Sequence, residues 1–244
     1  MRQHVHARLA ALLRPGSRVL EIGCGAGIDT LFLRRQQATV VACDPSGGML
    51  SETEALLKRH DGLTGVTLVQ AGAAQLPASL DPHASNDSFD GIFSDFGAPN
   101  CEDDLSALRA LAVGRLRPGG WVLLCLLNRF CWIETTVHLL RGHPKTAFRR
   151  LSFRRGPIHV DVEGIDVPTF YHRPSDIARA LKDVCTTVSL RGLAVMIPPP
   201  YWANRWARWP ASVRRGISRI DEAVAPHAPF NRAGDHYLIE LVKR

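Results

Sequence analysis

Apolar residues follow two rhythms along this chain. Short runs dominated by apolar and β-branched residues occur at residues 18–22, 38–43, 66–69, 89–93 and 121–127, with further candidates at 186–190 and 237–242. Runs of this length read as buried strands. Between them, apolar positions recur at three and four, predicting helices over 3–13, 28–36, 46–59, 104–113 and 174–182. Turn residues mark the boundaries: Arg-Pro-Gly at 14–16, Asp-Pro at 44–45 and Arg-Pro-Gly-Gly at 117–120. Strands alternating with helices at this spacing imply right-handed crossovers and an α/β fold, with a Rossmann-like doubly wound sheet of seven strands. The run at 121–127 is apolar throughout, as suits a central parallel strand.

Two stretches fall outside that alternation. Residues 128–173 follow the fifth strand and predict a Trp-containing helix, an Arg-rich helix and a hairpin (158–162 and 167–171). Residues 198–229 lie between the sixth and seventh strands and carry Trp202, Trp206 and Trp209 among arginines. Both are read as cap insertions into one domain spanning 1–244. They emerge near the carboxyl ends of strands, where open α/β sheets bind ligands, and are expected to wall a substrate cavity.

Composition narrows the class. With 45% hydrophobic residues and a mean hydropathy of −0.04, the 244 residues suit a soluble globular protein. No apolar run approaches the ~20 residues of a membrane span. The N-terminus lacks the apolar core of a signal peptide, so a cytoplasmic location is expected. Six scattered cysteines without a Cys-x-x-Cys pair argue for reduced thiols and against a zinc site. The net charge of +7 gathers between residues 141 and 219. Such an excess attracts nucleic acid, anionic lipid or an acidic small molecule, or simply makes a solvated surface.

The most informative segment is Val-Leu-Glu-Ile-Gly-Cys-Gly-Ala-Gly at 19–27. A strand runs into three alternating glycines, Gly23, Gly25 and Gly27, and then into a helix. Such a turn brings backbone close to a ligand. The spacing differs from the Gly-x-Gly-x-x-Gly dinucleotide fingerprint. Asp44 ends the second strand, 17 residues after Gly27, where a carboxylate can accept both hydroxyls of a ribose; its other reading is a helix cap.

These segments resemble the class I S-adenosylmethionine-dependent methyltransferases. Asp-Pro-Ser-Gly-Gly-Met-Leu at 44–50 is similar to that family's Asp-x-Ser-x-x-Met-Leu, and Leu-Arg-Pro-Gly-Gly-Trp at 116–121 to the turn before its fifth strand. The segment 70–77 corresponds to the family's Gly-Asp-Ala-x-x-Leu-Pro, but the acid is absent, with Gly72 or Ala73 in its place. The resemblance spans roughly residues 14–127, and again 237–242. It implies a sheet whose last strand runs antiparallel, and S-adenosyl-L-methionine as cofactor. The implied cofactor contacts are Glu21, Gly23, Cys24, Gly25 and Gly27 in the loop, then Asp44, Pro45 and Met49. Gly72, Ala73 and Ala74 would lie by the adenine, and Ser94 and Phe96 by the transferred methyl.

The acceptor side is less defined. The loop 94–100 offers Asp95 and Asn100 to orient an acceptor, with Asn100 alternatively capping the next helix. Asp95, His172, Tyr171 and His159 are the candidates for a general base. Arg149, Arg150, Arg154, Arg155 and Arg173 suggest an anionic acceptor, because guanidinium groups fit planar anions. The segment 201–215 is read as cavity wall, with a membrane surface as the alternative. The expected function is therefore methyl transfer to a small anionic or aromatic metabolite, by a monomer or homodimer. An RNA methyltransferase or RNA-binding protein and a non-catalytic cofactor-binding partner protein are the alternatives; no RNA-recognition signature supports nucleic acid.

Overall fold

The computed structural model describes residues 1–76, 80, 88–96, 98–151, 156–162, 165–199 and 202–244. Helices α1 (Arg2–Leu12), α2 (Ile28–Arg35), α3 (Gly47–Arg59) and α4 (Ser106–Gly114) alternate with β1 (Arg18–Ile22), β2 (Thr39–Asp44), β3 (Val66–Gln70), β4 (Phe89–Ser94) and β5 (Leu116–Leu127). Then follow α5 (Trp132–Leu140), α6 (Pro144–Ala147), the hairpin β6 (Ile158–Val162) and β7 (Ile165–Thr169), and α7 (Pro174–Ala180). The chain closes with β8 (Cys185–Leu193), α8 (Ala203–Ala207), α9 (Ala211–Val224) and β9 (His236–Lys243).

Seven strands form one sheet in the order β3-β2-β1-β4-β5-β9-β8, and β6 pairs only with β7. All neighbours pair in parallel except β9, which is antiparallel to both β5 and β8. The doubly wound sheet with an antiparallel last strand is as expected. The unbroken apolar character of β5 has a direct cause: both faces of the sheet are covered. Val122, Leu124 and Leu126 join one buried cluster with Leu108 and Leu111 of α4 and Ile177 of α7. Trp121, Leu123 and Cys125 join another with Val5 and Leu9 of α1 and Leu33 of α2.

Most element ends shift by one to three residues, and two of the differences have a specific cause. The Arg-Pro-Gly-Gly turn lies inside β5, where pairing with β4 jumps from Phe89↔Leu116 to Gly91↔Trp121, so residues 117–120 bulge out of the ladder. The second hairpin strand starts at Ile165, two residues earlier than its apolar pattern suggests, because antiparallel pairing sets its register opposite Val162.

The first insertion is pinned to the sheet by buried charge. Arg150, 5% exposed, donates from Nη1 to the backbone oxygens of Asn128 and Asp235, both at 3.1 Å. Its Nη2 bonds Asp235 Oδ1 at 2.5 Å and Glu134 Oε2. Burial alone would raise the Asp235 carboxyl. His236 alongside and the Arg150 charge outweigh that and hold it at about 2. Cys131 also approaches Glu134 and Asp235, but the guanidinium already bridges the two carboxylates, and burial raises the thiol to about 12. Arg149 reaches Glu134 Oε1 at 2.7 Å from a half-exposed position.

Removing Arg150 takes away the one buried guanidinium shared by Glu134 and Asp235, leaving Glu134 only half-exposed Arg149 and Asp235 only His236. Arg150→Met is expected to cost about 3–5 kcal/mol in denaturant unfolding. The outer Arg149→Gln should cost no more than about 1 kcal/mol. Equal effects would show that burial of the network contributes little.

Candidate cofactor and acceptor site

Strand order reverses between β1 and β4, and ligands of open α/β sheets bind outside the carboxyl ends of strands at such a point. A cavity of about 430 Å³ opens there. It is bounded by the ends of β1, β2 and β5, by residues 71–73, by the segment after β4, and by Val160, Val167 and Thr169 of the hairpin. Another hollow, of about 490 Å³, lies over Pro15 and Gly16 at the opposite strand ends, where Arg117 and Asp90 are already paired at 2.6 Å. The chemistry-bearing residues converge on the first.

The glycine loop is wound against the end of β2. The N–H groups of Gly23 and Cys24 both donate to Cys43 O, at 2.8 and 2.9 Å. Gly25 N donates to Asp44 Oδ2 at 3.0 Å, and Thr53 Oγ1 donates to Gly25 O at 2.6 Å. Gly25 has φ +53° and nothing within 4 Å of where a Cβ would stand, and it lines the cavity. Gly23, at φ +75°, has no such freedom: a Cβ there would lie 2.2 Å from Ala98 Cβ. One glycine keeps space open for a ligand, and the other lets two chain segments meet.

Asp44 is 9% exposed and forms part of the wall. Its Oδ1 accepts from Ser46 N at 2.9 Å, and Ser46, not Asp44, is the N-cap of α3. Each carboxylate oxygen thus holds one backbone donor and retains room for another, the arrangement a vicinal diol needs. Glu21 sits behind the loop, 2% exposed, and accepts from Thr30 Oγ1 at 2.7 Å. Burial pushes its carboxyl up to about 8; the Thr30 bond opposes this, and the charges of Asp29, Asp95 and Asp44 add to it.

Asp95 lines the cavity at 8% exposure. Oδ1 accepts from Phe96 N at 2.9 Å, while the buried Oδ2 has no hydrogen-bond partner and lies 3.8 Å from Arg2 Nε. Burial raises this carboxyl to about 6, with a further push from Asp29 and opposition from the Cys125 thiol and Arg2. Helix α1 brings Arg2 here: Arg8 Nη2 bonds Glu240 Oε1 at 2.7 Å, and His6 Nε2 lies 2.6 Å from Asp29 Oδ1. Arg2 also stands 4.9 Å from the centroid of the Phe96 ring.

Of the residues singled out in the sequence, Gly23, Gly25, Asp44, Pro45, Gly72, Ala73, Asp95 and Phe96 meet at this cavity. Others stand back from it. Cys24 packs in the core, its thiol raised by burial to about 12. Ser94 is buried and donates to Ile22 O at 2.8 Å, joining β4 to β1. Gly27 caps α2, Met49 is half-buried on α3, and Ala74 is exposed. Gly97, Pro77, Arg154, Arg155 and residue 201 lie outside the described residues.

The proposed acceptor-side bases fare differently. His159 is on the outer face of the hairpin, 2.8 Å from Asp166, because strand alternation turns Val160 inward instead. His172 is buried, with Nε2 2.8 Å from Glu102 O. Tyr171 is buried too, its ring 5.3 Å from the Arg150 guanidinium, and burial raises its hydroxyl. None of the three is part of the cavity wall; Asp95 is. Asn100 is neither free nor a helix cap. Its Nδ2 donates to Phe170 O at 2.7 Å and its Oδ1 accepts from Leu127 N at 2.9 Å, so it clamps β5 to the segment after the hairpin.

The wall as described contains no lysine, arginine or histidine. Arg149 and Arg150 are paired with carboxylates, and exposed Arg173 precedes α7. Arg149 and Arg150 are therefore not offered to an acceptor, and Arg154 and Arg155 lie outside the described residues. Residues the sequence reading missed are Leu127, Val160 and Val167, which make the wall apolar, and Glu102. Glu102 Oε1 accepts from Ala74 N at 3.4 Å, so a carboxylate reaches the very segment whose expected acid is absent. Its distance along the chain hid it.

Comparison with known proteins places these observations. Residues 19–120 match the family model described as "Methyltransferase domain". The demethylmenaquinone methyltransferase of Streptomyces avermitilis is 31% identical over 138 residues, covering 55% of this chain and 54% of that protein. The chain thus spans about half the length of the curated relatives it matches. Among solved structures, an S-adenosylmethionine-dependent methyltransferase from Mesorhizobium loti aligns over 98% of this chain and 96% of its own, with a TM-score of 0.56 and 17% identity. The [4+2]-cyclase SpnF aligns over 99% and 80%, with a TM-score of 0.60 and 14% identity. At these identities the structural likeness shows the fold alone.

Glu21 makes stability pH-dependent. Its folded-state carboxyl, at about 8, lies far above its ordinary 4.5, so the folded state binds the extra proton. Stability is fully present below pH 4.5 and is lost as pH rises through about 8. Thermal unfolding from pH 5 to 8.5 should show this decline, at up to about 1.4 kcal/mol per pH unit. Glu21→Gln should flatten it; an unchanged slope in the variant would refute the assignment.

Proposed function

We propose that the protein is an S-adenosylmethionine-dependent methyltransferase that transfers a methyl group to a small, neutral, apolar or aromatic acceptor; the match of residues 19–120 to the methyltransferase-domain model supports the reaction class. The observation that carries this reading is the pairing of Asp44 with the open glycine loop: a carboxylate with two free acceptor positions beside backbone that leaves space for a ligand. The wall supports a neutral acceptor, since Leu127, Val160, Val167 and Phe96 present apolar surface and its charged side chains are carboxylates. The Streptomyces avermitilis relative acts, by name, on a demethylmenaquinone, a quinone.

In this reading Asp44 holds the ribose hydroxyls, Gly23 and Gly25 pass close to the amino-acid end, and Glu102 accepts from the adenine amino group in place of the absent acid. S-adenosylmethionine would supply an electrophilic methyl on its sulfonium. The chain's own work is to align the acceptor and exclude water, which the hairpin and Leu127 do by covering the cavity. Asp95 is the general base: it is a carboxylate of the cavity wall, and a carboxyl near 6 is ionised at pH 7 yet still able to take a phenolic or enolic proton.

Two measurements test this. Calorimetric titration with S-adenosylhomocysteine should give micromolar binding that falls at least a hundredfold in Asp44→Ala, as two charge-assisted hydrogen bonds at about 1.5–3 kcal/mol each predict. No binding to the wild type would end the proposal. For Asp95→Asn, turnover with reduced naphthoquinones or simple phenols should drop about 10²–10³-fold while S-adenosylhomocysteine affinity holds. In the wild type, activity should rise with pH through about 6 as Asp95 deprotonates.

A further inference from the structure

The Trp/Arg segment does not wall the cavity. Its tryptophans line a separate apolar groove of about 330 Å³, formed with Ile133 and Val137 of α5, that shares no lining residue with the site above. The two insertions meet across this groove, where Arg141 lies 5.4 Å from the centroid of the Trp202 ring.

Around it, apolar side chains stand in solvent. Eight of the twelve exposed large hydrophobic residues among those described lie on the two insertions, which make up about a third of the chain. Leu140 is 83% exposed, and Ile220 and Trp209 about half exposed. Helix α9 has fourteen residues, of which only Asp221 is buried. Val213, Ile217, Ile220 and Val224 fall at i, i+4, i+7 and i+11, a single stripe, with Arg215 and Arg219 on the other side.

The charge leading up to and along most of this stripe has one sign; the acids of α9, buried Asp221 and exposed Glu222, come only in its last turn. Residues 202–220 contain five arginines and no acid. Arg205, Arg208, Arg215 and Arg219 are exposed, without ion-pair partners among the described residues. A second copy of the chain would bring this patch against itself, like charge on like. A half-exposed apolar stripe with tryptophan, edged by unpaired arginine, matches a helix lying in the plane of a bilayer surface.

We propose that the two insertions form a platform that docks on an anionic lipid bilayer. Tryptophan and the α9 stripe enter the interface, and the arginines engage acidic headgroups. The first insertion also supplies the hairpin that covers the cavity, so docking would set the cavity mouth beside the lipid phase. The inference stands on the surface alone and does not require methyl transfer.

Sedimentation with vesicles tests it, using phosphatidylcholine alone and phosphatidylcholine with one quarter phosphatidylglycerol. The protein should pellet with the mixed vesicles, remain in solution with the neutral ones, and be released by high salt. Arg215→Gln and Arg219→Gln should each lower partitioning about fivefold. Trp209→Ser and Ile220→Ser should weaken it as well, whereas Val188→Ser, which removes an exposed apolar side chain on β8, should leave it unchanged. Failure to pellet with anionic vesicles would overturn the proposal. So would an equal loss in the Val188 variant, or wild-type partitioning displaced by RNA and insensitive to Ile220→Ser.

Discussion

The hydrogen bond from Gly25 N–H to the Asp44 carboxylate is the contact on which the site depends. It joins the loop after β1 to the end of β2, and only the parallel register of those strands allows it. Ile22 opposes Cys43, so the chain leaves β1 beside the last residues of β2. Gly23 and Cys24 then donate to Cys43 O before Gly25 reaches Asp44. A shift of one residue in this register would turn the carboxylate to the other face of the sheet. The same bond leaves Asp44 fixed, nearly buried and still able to accept, which is how a preorganised acceptor differs from a surface carboxylate.

Charge is sorted by depth. Near the cavity, Glu21, Asp29, Asp44 and Asp95 crowd together, and their mutual repulsion with burial raises Glu21 and Asp95. Helix α1 answers with Arg2 and His6. In the first insertion, Arg150 is spent on Glu134 and Asp235, a buried network that fixes the insertion and offers nothing to a substrate. Among the described residues, arginines without an ion-pair partner cluster on α8, α9 and their connection, at the surface. A basic total therefore conceals different roles, a structural one at Arg150 and a solvent-facing one on α8 and α9.

The sheet and the front half of the site were legible because their signals are local. A strand between two covered faces must be apolar at every position, as β5 is, and a loop with positive φ beside a ligand calls for glycine. Asp44 follows that loop by one crossover unit, so its place was calculable. The acceptor side was not legible, for a geometric reason. Tyr171, His172 and His159 carry suitable chemistry, but hairpin alternation and burial decide where each points, and neither is visible in composition. The pairing of Arg150 was hidden for a similar cause: its carboxylate partners, Glu134 and Asp235, lie 16 and 85 residues away.

By itself, then, the sequence determined what depends on neighbours along the chain: element order, the covered sheet, the glycine turn and the carboxylate at the end of β2. Tertiary structure alone decided what depends on residues far apart. It brought Glu102 to the segment lacking its acid, turned Val160 and Val167 toward the cavity, neutralised Arg150, and gave the tryptophans a groove of their own. The physical reason is common to all four: backbone conformation answers to local sterics and periodicity, whereas a side chain's solvent, charge partner and facing depend on packing between distant segments.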